Sequence, residues 1–202
     1  MPRKIIPLVT NETYHVYNRG VDKRAVYMDK YDYIRFYQSL LYFNVVTVQT
    51  NFRLAKARYN PDDQKLVEIQ AYSLLPNHYH LIVTQMVDGG LSEFMKRISA
   101  GYTGYFNEKH DRSGSLFQGN YKRVHVANDE YYKYLFAYVN ENHHVHSVQR
   151  GAEIVYSSSS HHTGVATSKL ITKRQTAYSA VEAVQLANKI AEDRHSAKLL
   201  IE

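Results

Sequence analysis

His78 and His80 stand one residue apart in the run Leu74-Leu75-Pro76-Asn77-His78-Tyr79-His80-Leu81-Ile82-Val83. On a strand, alternate side chains point the same way, so both imidazoles can face one metal ion. Tyr138 and Asn142 lie 58 and 62 residues beyond His80, within Tyr138-Val139-Asn140-Glu141-Asn142. Four residues of α-helix turn through about 400° and rise about 6 Å, which leaves the phenol and the amide nearly stacked on one face. Two imidazoles, an amide and a phenol are the groups needed for metal-assisted nucleophilic attack on a phosphate. With a reference pKa near 10, a phenol is ionised about one part in a thousand at pH 7, so forming phenolate costs roughly 4 kcal/mol before attack begins. A divalent ion that neutralises a phosphate oxygen and orients the scissile bond offsets part of that cost.

These groups need elements to hold them. A first strand is predicted over Tyr14 to Asn18, followed by a polar turn through Asp22-Lys23-Arg24. From Lys30 to Phe43 the residues Tyr33, Ile34, Phe36, Tyr37, Leu40, Leu41 and Phe43 recur at three- and four-residue steps, the stripe of a helix lying on a core. Val45 to Thr50 reads as extended, Leu54 to Arg58 as its continuation or a loop, and Asn60-Pro61-Asp62-Asp63 as a turn. Strands over Val67 to Leu74 and His78 to Thr84 form a hairpin joined at Pro76-Asn77, so the histidines open its second strand. Leu91, Phe94, Met95, Ile98, Tyr102 and Phe106 carry a second long helix to Asn107. Gly114 and Gly119 bracket a turn-rich linker before a strand over Tyr121 to Val126, and a third helix runs from Asp129 to Asn142. Asp129 and Glu130 suit its positive N-terminal end. The succession strand, helix, two strands, helix, strand predicts an α+β fold. Its form is a ferredoxin-like antiparallel sheet with helices on one face. The third helix is then an addition. Beyond it, Ser157 to Gly164 reads as an exposed loop, and the capping-box pattern Ser179-x-x-Glu182 opens a final helix near Ala180 to Leu200. The expected division is a domain over residues 1–150 and a loop with a helical extension over 151–202.

Composition narrows the chemistry. The 202 residues contain no cysteine, which excludes disulfides and thiolate-bound zinc and leaves histidine, carboxylate and amide as metal ligands. The net charge of +6 and pI of about 9.3 suit a polyanionic partner. Residues 1–150 hold 19 Lys and Arg against 14 Asp and Glu, so the surplus lies with the candidate site. Arg19, Arg24, Lys96, Arg97, Lys122 and Arg123 are the candidate phosphate contacts, each with the alternative of solvating its own surface. Tyr131, Tyr132 and Tyr134 share a helix with Tyr138, and composition alone does not separate them. His143, His144 and His146 stay unassigned as ligands or as a polar helix exit. No signal peptide or membrane span is read, and the expected location is the cytoplasm.

Four runs taken together carry a resemblance. Tyr14-His15-Val16-Tyr17-Asn18-Arg19-Gly20, Pro76-Asn77-His78-Tyr79-His80-Leu81-Ile82, Gly114-Ser115-Leu116-Phe117-Gln118-Gly119 and Tyr138-Val139-Asn140-Glu141-Asn142 resemble the single-tyrosine HUH transposases. The REP-associated tyrosine transposases and their insertion-sequence relatives are the branch in view. The resemblance spans about residues 12 to 150 in consistent order. It implies that His78, His80 and Asn142 bind Mg2+ or Mn2+ and that Tyr138 is the nucleophile. It also implies single-stranded DNA with hairpin structure as the partner, cleavage through a 5′-phosphotyrosine, and a possible homodimer. Asn120 stands where the family often has arginine, and His143 where it often has proline. The alternatives left open are a domesticated structured-nucleic-acid binder without cleavage and a metal phosphodiesterase using water.

Overall fold

The computed structural model describes residues 7–47, 51–142, 156–162, 164, 167–171, 182, 185, 186 and 189. Four strands, β1 (Thr13–Arg19), β2 (Val67–Leu75), β3 (His78–Gln85) and β4 (Lys122–His125), form one antiparallel sheet in the order β2-β3-β1-β4. That order places the last strand beside the first, as the ferredoxin-like reading of the sequence expects.

Helices α1 (Lys30–Tyr42) and α3 (Gly90–Lys109) cover one face. Asp29 caps α1 by accepting hydrogen bonds from the Tyr31 and Asp32 amides. The core between sheet and helices takes Val16 from β1, Tyr79, Leu81 and Val83 from β3, Phe36 and Leu40 from α1, and Phe94, Met95, Ile98 and Tyr102 from α3. On β2 the inward residues are Val67 and Ile69, then Tyr72 and Leu74. A bulge between Ile69 and Ala71 makes this change of parity possible, with Gln70 as the extra residue.

Helix α4 (Asp129–Asn140) lies on the opposite face, capped by Asn128 through the Tyr131 amide. Tyr132, Leu135, Phe136, Tyr138 and Val139 pack there against Ala71 of β2 and Ile82 of β3. The two core-covering helices thus share a face as expected, and the third is a separate layer. The strand parity that sends Tyr79 and Leu81 into the main core turns His78 and His80 toward α4.

Three expectations are corrected. Residues 45–47 are not in a strand, and residues 48–50 lie outside the described residues. Phe52–Ala57 forms a short helix, α2, started by Asn51, whose side chain accepts from the Leu54 amide; this local cap defeats the extended reading. Ser157 to His162 is not an exposed loop. Tyr156 O accepts from Leu74 N at 2.8 Å and Tyr72 O accepts from Ser158 N at 3.0 Å, so the segment pairs with the outer edge of β2. Ser157, Ser158 and Ser159 are buried, and Ser159–His162 forms a single helical turn, α5. The final helix expected at Ala180 to Leu200 lies almost wholly outside the described residues.

Candidate active site

The hairpin turn that presents the histidines is held from outside. Gly20 N donates to Asn77 O at 2.9 Å and Val26 N to Pro76 O at 2.8 Å, which ties the loop after β1 to the turn. Gly20 is required at this crossing, because a Cβ there would sit 2.3 Å from Arg24 O.

Asn77 does more than make the turn. Its side-chain amide donates to Lys23 O at 3.1 Å, which points Oδ1 at His78 Nδ1, 2.6 Å away. A carbonyl oxygen only accepts, so His78 Nδ1 is the donor and Nε2 is the nitrogen that keeps a lone pair. His80, 4% exposed, meets His78 edge to face with ring centroids 5.1 Å apart. On the other side His80 Nδ1 lies 2.9 Å from His15 Nε2. Burial lowers the His15 pKa to about 3, so that imidazole is neutral.

From α4, the ring of Tyr138 stands edge to face on His80, with centroids 5.5 Å apart and planes at 87°. Tyr138 is 7% exposed, so the residue is packed beside the imidazole rather than displayed on the surface. Tyr138, one of four tyrosines on the helix, is thus placed beside the histidine pair. Asn142, four residues further on and past the end of α4 at Asn140, is fully buried, and among the described residues neither its Oδ1 nor its Nδ2 has a hydrogen-bond partner. A buried amide in that state is costly, on the order of 1–3 kcal/mol per group, and calls for an explanation. A metal ion accepting the amide oxygen is one, and two imidazoles with an amide oxygen form a nitrogen and oxygen donor set that fits Mn2+ or Mg2+. Among the described residues, no group of three or more His, Cys, Asp or Glu side chains is placed to hold an ion.

The basic residues divide by sheet face. Arg19 is the cross-strand partner of His78, and Tyr17 of His80. Lys122 pairs with Tyr17 and sets Nζ 5.8 Å from that ring's centroid, on the histidine face. Arg24 stands on the loop that clamps the turn, donating to Val21 O and near Asp22. Three expected contacts fall elsewhere. Lys96 is exposed on α3, across the sheet from the histidines, and Arg123 pairs with Val16, whose side chain enters the main core. Arg97 is turned inward with its side chain 7% exposed, bonded to Glu93 at 2.8 Å and to the carbonyls of Val45 and Thr47 at 2.7 and 3.1 Å. It braces the chain after α1, and we remove it from the phosphate contacts.

Sequence reasoning passed over His15. The signal was present: His15, Tyr17 and Arg19 alternate on β1 just as His78 and His80 do on β3.

Comparison with known proteins agrees with this architecture. The sequence model of the family described as "Transposase IS200 like" matches residues 43–142, a span containing both histidines, Tyr138 and Asn142. Among curated proteins, none matches the sequence. Among solved structures, a REP-associated tyrosine transposase bound to a REP hairpin shares the fold with a TM-score of 0.51 at 15% identity, over 89% of this chain and 96% of that one.

Proposed function

Since residues 43–142 make this chain a member of the IS200-like transposase family, we propose that it binds hairpin-bearing single-stranded DNA and cuts it with Tyr138. The observation that carries the reading is the tyrosine ring seated on His80, with the buried amide of Asn142, unpartnered among the described residues, four residues further along the chain. The REP hairpin bound by the structural relative supports the class of DNA.

His78 and His80, through Nε2, and Asn142, through Oδ1, would hold Mg2+ or Mn2+. When bound, such an ion supplies Lewis-acid neutralisation of a phosphate oxygen. The chain's own residues do the rest. Tyr138 loses its phenolic proton and its oxygen forms a bond to phosphorus. The bond from phosphorus to the 3′ oxygen breaks, and that oxygen leaves as a hydroxyl after taking a proton. One phosphodiester is exchanged for another, so the phosphotyrosine remains open to attack by a later 3′ hydroxyl. Packing against His80 fixes the phenol ring, which lowers the entropy cost of aligning it with the phosphate. Arg19 and Lys122, on the same sheet face, and Arg24, beside the turn, are suited to phosphates on either side of the cut.

The test is incubation of the full chain with Mn2+ and labelled single strands that carry hairpins, followed by denaturing electrophoresis. A protein-linked DNA band is expected from wild type and none from Tyr138→Phe, with hairpin binding retained by both. Tight binding by wild type without any adduct across a broad hairpin set would select the non-cleaving alternative. Turnover with no protein-linked intermediate would select attack by water.

A further inference from the structure

We propose that His15 is a positioning residue that fixes the tautomer and ring orientation of His80. This inference rests on the reading of His80 as a metal ligand.

The geometry is specific. His15 pairs with Ile82 and Tyr17 with His80, so His15 reaches His80 on the diagonal of the antiparallel ladder. The two rings lie within 14° of a common plane, with centroids 5.1 Å apart and Nε2 to Nδ1 at 2.9 Å. The centroid separation exceeds the nitrogen separation by about two ring radii, so the rings meet end on, through one N–H···N hydrogen bond. Tyr17 flanks both, with centroids 5.0 Å from His15 and 5.8 Å from His80 at small interplanar angles. His15 is 1% exposed, which shields that bond from water.

One hydrogen bond joins the two ring nitrogens, and its proton has two possible places. With His80 Nδ1 as donor, His80 Nε2 keeps its lone pair and can bind an ion. With His15 Nε2 as donor, His80 carries its own proton on Nε2 and cannot. For His80 to bind an ion His15 must be the acceptor, and it then serves His80 as the Asn77 carbonyl serves His78, so that both ligands present the same nitrogen. Metal-bound histidines are commonly oriented by a carboxylate or carbonyl acceptor. Here a neutral imidazole fills that role beside His80, and it adds no negative charge to compete with the phosphate.

The experiment has two arms on the full chain. In metal-free wild type, long-range 15N–1H correlation of the histidine rings is expected to show His80 protonated on Nδ1 and bare on Nε2. His80 protonated on Nε2 overturns the proposal. In the second arm, Mn2+ is titrated and followed by electron paramagnetic resonance. His15→Leu is expected to weaken binding about 10–100-fold, the usual effect of losing an orienting partner. His15→Gln, whose amide oxygen accepts but is not an imidazole, is expected to recover most of it. Equal Mn2+ affinity in His15→Leu and wild type overturns the proposal. The wild-type spectrum decides the matter alone should His15→Leu not fold. Wild type that binds no Mn2+ would sink the metal reading, while the His80 tautomer would still report whether His15 sets the ring.

Discussion

The buried amide of Asn142 sets stability against function. With both polar atoms enclosed and, among the described residues, unpartnered, the side chain should destabilise the metal-free fold. Asn142→Leu, which keeps the branching and removes the polar atoms, should raise the urea midpoint of the metal-free chain while abolishing Mn2+-dependent stabilisation; a lowered midpoint would count against an unpartnered amide. His15 gives a pH signature. Its pKa is about 3 when folded against the ordinary 6.5 of a histidine, so below pH 6.5 the unfolded chain takes up a proton that the folded chain refuses. The stabilising contribution is fully present above pH 6.5 and is lost as pH falls toward 3. Urea melts of the metal-free chain should weaken between pH 6.5 and 4.5, and His15→Gln should flatten that slope. The candidate set His78, His80, Tyr138 and Asn142 could be named from the sequence, the histidines by their alternation and Tyr138 with Asn142 through the family resemblance. His15 was not, because its meaning lies in a register between strands far apart in the chain.

At the scale of elements, periodicity located the four strands and the three long helices, since each buries one stripe or one alternating face. Where a side chain makes the structure locally, periodicity was silent. The Asn51 cap produced α2, and the extra residue Gln70 changed which side of β2 faces the core. Arg97 shows the same limit: a cation on an amphipathic helix looks solvent-directed until the carbonyls it meets are known. It ties α3 to the segment after α1 through bonds to Glu93, Val45 O and Thr47 O. Losing charge-assisted hydrogen bonds of this kind costs about 2 kcal/mol, so Arg97→Ala should lower stability by that order in chemical denaturation. Hairpin affinity, measured where the variant is folded, should be unchanged.

Across the described residues, the sheet separates the main core from the face that carries the candidate site. Two helices close the main core on one face, and the imidazoles, Tyr17, Arg19 and Lys122 occupy the other, beneath α4 or beside it. Binding should show this asymmetry. Each phosphate neutralised on a single strand contributes about −0.7 to the slope of log affinity against log salt. In fluorescence anisotropy titrations over a range of KCl, Arg19→Ala and Lys122→Ala should each make the slope shallower by about 0.7, and Lys96→Ala should leave it unaltered. An effect of Lys96→Ala equal to the other two would place DNA on both faces and reject the division. The order of elements was enough to anticipate the α+β class, whereas the division of charge between faces required the strand register.

The serine run has a consequence for where the chain can be cut. Ser158 Oγ donates to Asn140 Oδ1 at 2.6 Å and accepts from Tyr72 N at 2.9 Å, while Ser159 Oγ donates to Glu141 Oε1 at 2.6 Å. These bonds fasten the exit of α4, between the phenol and the amide, to the border of the sheet. A truncated protein stopping at residue 150, the boundary that sequence favours, would lose that fastening and leave the backbone of β2 bare along its outer side. Such a fragment should self-associate through the uncovered strand and hold Tyr138 loosely, which size-exclusion chromatography of the fragment beside the full chain would show.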